Sequence, residues 1–203
     1  MDFRPASPAE GNAVTRCISL AFATDPVWEL ALRREDEGTS HQEPYWALFV
    51  DGAMRYGTVR VTDGLEAVSV WLPPGGSELS GEGALQLEAL LQESLTPEHV
   101  TAIHTLYKRF EASRAGLADH YYLSLLATDP AHRGRGIGQL LLAADLARWD
   151  EERVPAYLES TNSANDHRYA RAGFRSIGGF RAVRDDTWIS AMWRDVGGPA
   201  NRE

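Results

Sequence analysis

The feature that most constrains this chain of 203 residues is a β-rich segment followed by a glycine-rich loop and an amphipathic helix. Residues 121–128 read Y-Y-L-S-L-L-A-T, a composition that favours a strand, and Asp129-Pro130 ends the segment. The loop R-G-R-G-I-G then occupies residues 133–138. A helix is predicted next, because apolar residues recur at three- and four-residue spacing: Ile137, Leu140, Leu141 and Ala144.

The glycine-rich loop is suited to binding a phosphate group. Glycine lets the backbone turn tightly and approach a ligand closely, and the free N–H groups at a helix start favour an anion. A Walker loop is excluded because neither Gly-Lys-Ser nor Gly-Lys-Thr follows, and the dinucleotide fingerprint counted from Gly134 needs glycine where Gln139 stands. The loop therefore predicts a pyrophosphate site of another type, with a plain connecting turn as the alternative.

The remaining segments predict alternating helices and strands. In order, they are a helix that starts at Ser7 and is interrupted at Asp25-Pro26, a helix from Pro44 to Gly57, a hairpin around Asp63-Gly64, two helical segments in the forty residues after Gly76, a strand P-A-Y-L-E-S, a short helix from Asn162 to Ala172, and a final pair of strands. Neither an internal repeat nor a linker is found. We therefore expect one domain over residues 1–203.

Composition limits the partners and the compartment. Acidic residues outnumber basic ones by 29 to 20, and a net charge of −9 repels nucleic acid. The only cysteine is Cys17, so an intrachain disulfide is impossible and a cytoplasmic setting is favoured. No leader is recognised, and no segment approaches the ~18 apolar residues of a membrane span. The histidines lack the spacing of metal ligands, so we expect no metal, nucleic acid or membrane partner.

The pattern Arg133-x-x-Gly136-x-Gly138 resembles the acyl-CoA loop of the GNAT superfamily, which reads Arg or Gln, two residues, Gly, one residue, then Gly or Ala. The order of the predicted elements is similar too. The stretch L-E-S-T-N-S-A-N-D-H-R-Y-A-R-A-G-F resembles the corresponding part of puromycin N-acetyltransferase and related small-molecule acetyltransferases. The resemblance covers nearly the whole chain and is weakest from Pro73 to Asp119, so it does not identify the acceptor.

This resemblance implies both a fold and a cofactor. The implied α/β (α+β) fold is the GNAT fold, a mixed, mostly antiparallel twisted sheet with helices on both faces and a splay between two central strands, around Leu123–Thr128 and Ala156–Ser160. The implied acyl donor is acetyl-CoA, with its pyrophosphate at the loop and its pantetheine arm along the splayed strand. The residues implied to bind it are Leu126, Ala127, Thr128, Arg133, Gly134, Arg135, Gly136, Ile137, Gly138 and Asn165.

Two residues are candidates for moving protons. The resemblance implies that Tyr169 donates to the departing thiolate, and the alternative is a ring packed beside Phe174. Glu159 ends an apolar strand, where partial burial would raise the pKa of its carboxyl toward the range of a general base. An ion pair or a strand-end hydrogen bond is the alternative for Glu159. His120 has a suitable pKa but is expected at the edge of the sheet.

The sequence thus predicts an N-acetyltransferase that moves the acetyl group of acetyl-CoA directly to the amine of a small molecule, acting as a monomer or homodimer. A non-catalytic acyl-CoA-binding or sensing module stays open as an alternative. A dinucleotide-binding oxidoreductase is a weaker one, because the third glycine is missing. The aromatic residues that could line the acceptor pocket, or could simply pack in the core, are Trp28, Trp46, Trp71 and Tyr45.

Overall fold

The computed structural model describes residues 2–198, in which seven strands form one sheet. The strands are β1 (Phe3–Pro5), β2 (Val59–Thr62), β3 (Ala67–Leu72), β4 (Tyr121–Thr128), β5 (Ala156–Ser160), β6 (Arg175–Arg181) and β7 (Trp188–Arg194). The α-helices of this part of the chain are α1 (Gly11–Phe22), α2 (Pro26–Ala31), α3 (Gln42–Met54), α4 (Gly81–Ser94), α5 (Pro97–Arg114), α6 (Ile137–Glu151) and α7 (Asp166–Arg171). Met1 and residues 199–203 of the expected domain lie outside the described residues.

The sheet is mixed and mostly antiparallel, as predicted. Its strand order is β1-β2-β3-β4-β5-β7-β6. Among these strands only β4 and β5 pair in parallel, and they do so over Tyr121–Leu123 and Ala156–Leu158. A dinucleotide-binding enzyme of the doubly wound type needs an open parallel sheet. The observed topology excludes that alternative.

Helices cover both faces of the central strands, which explains why β3 is buried along its whole length. Val68 and Val70 of β3 pack into a large core cluster with α1, α2, α3 and α5. Trp71 points to the opposite face, where it meets Trp149 of α6 at 5.8 Å between ring centroids. The start of α6, next to the glycine loop, also packs on the sheet, where Ile137 and Leu141 cluster with Ala67 of β3.

A β-bulge interrupts β4 at Ser124. Val70 pairs with Leu125 and Trp71 with Leu123, so Ser124 is the extra residue between two paired positions. A bulge of this kind reverses the alternation of side chains along a strand. Leu123 accordingly packs on the α6 side, whereas Leu125 packs on the side of α1.

Two short elements were not predicted. The strand β1 has three residues and ends in Pro5, which leaves no periodicity to recognise. At Asp25-Pro26 the sequence predicted an interruption, and the structure starts α2 there, because the Asp25 carboxylate accepts the N–H groups of Val27 and Trp28 at 3.0 and 3.1 Å. The aspartate is the N-cap of a new helix.

A buried carboxylate fastens α6 to the sheet. Asp145 is fully buried and accepts hydrogen bonds from the guanidinium of Arg60, the hydroxyl of Ser69 and, at 2.8 Å, the indole N–H of Trp71. Its three partners lie on β2 and β3, so one side chain links the helix after the glycine loop to two strands.

Replacing Asp145 by alanine should strongly destabilise the protein. The change leaves the Arg60 charge and two further donors buried without their acceptor, and loss of one partner of a buried ion pair costs about 3 kcal/mol or more. Urea denaturation should show this loss in the free energy of unfolding. The control is Asp51→Ala on the exposed side of α3, which should change stability by no more than about 0.5 kcal/mol. Equal stability of the two variants would contradict the structural role of Asp145.

Candidate active site

A cleft of about 1180 Å³ opens where β4 and β5 separate. Pairing between the two strands ends at Leu123 and Leu158. Beyond that point β4 continues beside β3, and β5 continues beside β7. The predicted splay is therefore present. The side chains of Leu126 and Thr128 line the cleft, whereas that of Ala127 packs in the core and can offer the cleft only its backbone.

The glycine loop forms one end of this cleft. Gly134 and Gly136 have φ angles of +80° and +73°, a region that other residues adopt only with strain, and Gly136 is the N-cap of α6. A Cβ at position 138 would lie 2.6 Å from the Thr128 hydroxyl oxygen, so glycine lets the helix start approach β4. Five of the predicted loop residues line the cleft, namely Arg133, Gly134, Gly136, Ile137 and Gly138.

The two arginines of the loop differ in position. Arg133 lines the cleft, and its guanidinium also donates to the carbonyl oxygen of Ala21 at 2.9 Å, which ties the loop to the last turn of α1. Arg135 is exposed and lies outside the cleft lining. An anchoring contact of this kind has no signal in the sequence, because Ala21 and Arg133 are far apart along the chain.

Glu159 is the first residue of β5 beyond the pairing with β4, and it faces the cleft. Its Oε1 accepts a hydrogen bond from the Tyr157 hydroxyl at 2.9 Å, while its Oε2 is buried and has no hydrogen-bond partner among residues 2–198. Burial raises the pKa of the Glu159 carboxyl to about 7, although the guanidinium of Arg114 acts in the opposite direction. The group can therefore exchange a proton near neutral pH.

Tyr169 and Asn165 lie across the cleft from β4 on the short segment around α7, and both line the cleft. The ring of Tyr169 packs edge-on against Phe174, with 6.2 Å between the centroids. Burial raises the pKa of its phenol above the usual range, and the neighbouring charge of Asp25 adds to the rise. The phenol is thus protonated at neutral pH. The side-chain oxygen of Asn165 accepts from Arg168 at 2.8 Å.

Six charged residues that line the cleft were not predicted as site residues: Asp25, Glu78, Glu111, Arg114, Asp119 and Arg168. Asp25 caps α2 and also accepts the hydroxyl of Thr161 at 2.7 Å, so it joins α2 to the segment after β5. Its place before Pro26 was a recognisable N-cap signal, whereas Glu78 and Arg114 belong to the region where the family resemblance is weakest.

The aromatic residues expected at the acceptor pocket divide into two groups. Trp28 and Trp46 line the cleft. Tyr45 lies behind it in the core and shares a hydrogen bond of 2.6 Å with the hydroxyl of Tyr107. Trp71 is in the core under α6, so of the two alternatives for these aromatic residues, core packing holds for Trp71 and Tyr45.

Two further features are absent from the described residues: a cluster of metal ligands and a membrane-spanning helix. Between residues 2 and 198, no group of three or more His, Cys, Asp or Glu side chains is arranged to hold a metal ion. Over the same residues, every helix is too short or too polar to cross a bilayer.

Comparison with known proteins identifies relatives of this chain. The family profile described as an acetyltransferase (GNAT) domain matches residues 103–176, which include β4, the glycine loop, α6, β5 and α7. A mycothiol acetyltransferase of Gordonia bronchialis is 31% identical over 109 residues, which is 52% of this chain and 30% of that protein. The match thus spans about a third of the length of this relative.

Solved structures share the fold over almost the whole chain. An acetyltransferase from Corynebacterium glutamicum, described as histone acetyltransferase HPA2 and related acetyltransferase, superposes with a TM-score of 0.67, 22% identity and 97% coverage of each chain. Arylalkylamine N-acetyltransferase 2 from Aedes aegypti gives a TM-score of 0.66 at 14% identity, covering 96% of this chain and 98% of its own. The solved structures thus show that this chain shares their fold, and the family profile shows that residues 103–176 resemble an acetyltransferase (GNAT) domain.

Proposed function

We propose that the protein is an N-acetyltransferase that moves the acetyl group of acetyl-CoA to the amine of a small molecule by direct transfer. The observation that carries this proposal is the shared cleft, which brings the glycine loop, the free edge of β4, Glu159 and Tyr169 around one space. The GNAT domain match supports the proposal, as do the related acetyltransferases.

The loop and the strand suit the two parts of acetyl-CoA. The first N–H groups of α6 have no partner within the helix, and the positive end of the helix dipole favours the pyrophosphate. The left-handed Gly136 presents these groups without a side chain in the way. The backbone of Leu126–Thr128 would bond to the pantetheine amides as an added strand does, with Asn165 on the opposite side. When bound, acetyl-CoA supplies an activated thioester.

The roles of the two proton-handling residues follow from their environments. The unpartnered Oε2 of Glu159 can accept a proton from the acceptor ammonium, directly or through a water molecule. The neutral amine then forms the new carbon–nitrogen bond, and the carbon–sulfur bond breaks. The Tyr169 phenol donates its proton to the departing thiolate, the second proton lost by the attacking nitrogen restores the phenol through solvent, and Glu159 releases its proton to solvent. Because transfer is direct, no residue has to carry the acetyl group.

We also propose that the protein acts in the cytoplasm, as a monomer or homodimer. The single cysteine, Cys17, is buried in α1 and supports a protein that needs no disulfide. The net charge of −9 argues against a nucleic-acid partner.

Gly136→Asp should abolish coenzyme A binding, because the new carboxylate would stand where the pyrophosphate is proposed to bind. Calorimetric titration with coenzyme A measures this directly. Gly57→Asp is the matched control, since Gly57 has a similar φ of +67°, is exposed and lies away from the cleft. It places the same side chain in the same backbone region and should bind coenzyme A normally. Unchanged affinity of Gly136→Asp would remove the loop from the cofactor site.

Tyr169→Phe should lower the turnover rate by about 100-fold or more, the usual range for loss of a general acid, with little change in acetyl-CoA affinity. Turnover is measured by thiol release at saturating acetyl-CoA. The control is Tyr121→Phe, which removes a hydroxyl bonded to Glu152 outside the cleft. If Tyr169 only packs against Phe174, its variant will instead show near-normal turnover and a slightly lower melting temperature.

The rate should rise with pH through about 7, because Glu159 must be ionised to accept a proton and its pKa is about 7. Arg114→Met should move this limb to higher pH, since the guanidinium favours the charged carboxylate. Glu159→Gln should remove the limb and most of the rate. A pH profile of kcat/KM that keeps its limb in Glu159→Gln would assign the base to another group.

Coenzyme A binding without acetylation of any amine would favour the non-catalytic module.

A further inference from the structure

The loop of residues 75–80, between β3 and α4, is tied to the end of α3 by side chains that directly follow that helix. The guanidinium of Arg55 donates to the carbonyl oxygen of Ser77 at 2.6 Å, to its hydroxyl at 2.7 Å and to the carbonyl oxygen of Leu79 at 3.2 Å. The N–H of Ser77 donates to the hydroxyl of Tyr56 at 3.0 Å. A surface connection held at this many points has a fixed conformation.

A glycine inside α3 lets this loop lie directly on the helix. Gly52 is buried in a position where glycine weakens a helix relative to alanine. A Cβ at this position would overlap the carbonyl oxygen of Glu78 and would touch the backbone of Leu79. The backbone of Glu78 is therefore fixed by its close contact with Gly52 and by the hydrogen bonds of Arg55 to the carbonyl oxygens of Ser77 and Leu79 on either side.

The side chain of Glu78 extends from this fixed backbone into the cleft. Its Oε1 accepts the hydroxyl of Ser124 at 2.6 Å, its Oε2 lies 3.8 Å from the guanidinium of Arg114, and the side chain remains 28% exposed. The charge of Glu159 also favours the protonated guanidinium of Arg114, although of the two glutamates only Glu78 lies within ion-pair distance of it. Burial lowers the pKa of nearby His120, which keeps that ring neutral at pH 7.

The charges of this part of the cleft therefore favour a cation. The combined negative charge of Glu78 and Glu159 exceeds the single positive charge of Arg114. Two further acidic residues of the lining, Glu111 and Asp119, add to this excess of negative charge. The neighbouring lining is aromatic and consists of Trp28, Phe49, Tyr107, Phe110 and Tyr122. Aromatic faces and carboxylates together suit an organic ammonium ion.

We propose that Glu78 binds the ammonium group of the acceptor, and that the acceptor is an aromatic amine with no carboxylate beside its amino group. This inference rests on the proposed acetyltransferase function and names its substrate class. Glu78 sets specificity by holding the cation, while Glu159 takes the proton. The excess of carboxylates disfavours a substrate carboxylate, and Arg114, which lies 3.8 Å from Glu78 and stacks at 4.2 Å on the ring of Tyr122, already has part of its charge compensated.

The test compares phenethylamine with phenylalanine, which differ only by the carboxylate beside the amine. The wild-type protein should acetylate phenethylamine with a kcat/KM at least about tenfold higher, the effect of one unfavourable charge contact. Glu78→Gln should raise the KM for phenethylamine about tenfold, change kcat little, leave the KM for acetyl-CoA unchanged and narrow the preference over phenylalanine. The control is Glu93→Gln, which removes an exposed charge of α4 outside the cleft.

A binding measurement separates this inference from the proposed function. Phenethylamine is titrated into each protein in the presence of coenzyme A, and its affinity is measured by calorimetry. Weaker binding to Glu78→Gln than to the wild type supports the role of Glu78 even if neither amine is acetylated, an outcome that would count against the proposed function alone. Acetylation of phenethylamine with the same KM in both proteins would overturn the role of Glu78 and leave the proposed function standing.

Two results overturn the substrate class. One is a preference for phenylalanine, which would make Arg114 a carboxylate receptor, and the other is no binding of phenethylamine to the wild type. If Glu78→Gln does not fold, Ser124→Ala replaces it, because loss of the hydrogen bond to Oε1 frees the carboxylate without removing its charge. Ser124→Ala should raise the KM for phenethylamine by a smaller factor, and an unchanged KM would count against the inference.

Discussion

One extra residue in a central strand determines the shape of the cleft. Ser124 bulges out of the ladder between β4 and β3, immediately after the last residue of β4 that pairs with β5. Bulges re-aim the side chains of a strand, and here Leu123 and Leu125 pack on opposite faces of the sheet. The pairing of β4 with β5 ends directly before the bulge, which frees one edge of β4 along the cleft. The same residue gives its hydroxyl to Glu78, so the break in the sheet also contacts the charged part of the cleft.

The electrostatic environment of the cleft beside β5 is set by the small number of positive charges there. Burial raises the pKa of Glu159, yet this pKa rises only to about 7 because Arg114 and the Tyr157 hydroxyl stabilise the charged form. A fully apolar setting would keep the carboxyl protonated, and a tighter ion pair would keep it ionised. The intermediate setting is the one that suits a general base at neutral pH. It results from side chains on α5 and β5 that only the folded chain brings together.

The part of the cleft proposed to bind the cofactor could be predicted as a strand, a glycine loop and a helix, because it is local in sequence. These three elements are consecutive, and each has its own signature in composition, glycine spacing or helical periodicity. The part proposed to hold the acceptor is assembled from α2, α3, the loop of residues 75–80 and α5, which are distant along the chain. Tryptophan and tyrosine residues there read alike in the sequence, and only packing decided that Trp28 lines the cleft while Trp71 lies under α6.

The sequence by itself determined the order of the longer elements, the tight turn at Gly134 and Gly136, and a glutamate near the end of an apolar strand, since each depends on neighbouring residues. The tertiary structure decided what depends on distant ones. It decided that Asp145 anchors α6 through Arg60, Ser69 and Trp71, that Gly52 is required by the backbone of Glu78, and that Glu78, Arg114 and Glu159 share one space. The physical reason is range: backbone conformation follows local side-chain chemistry, whereas burial and charge interactions arise only when the chain has packed.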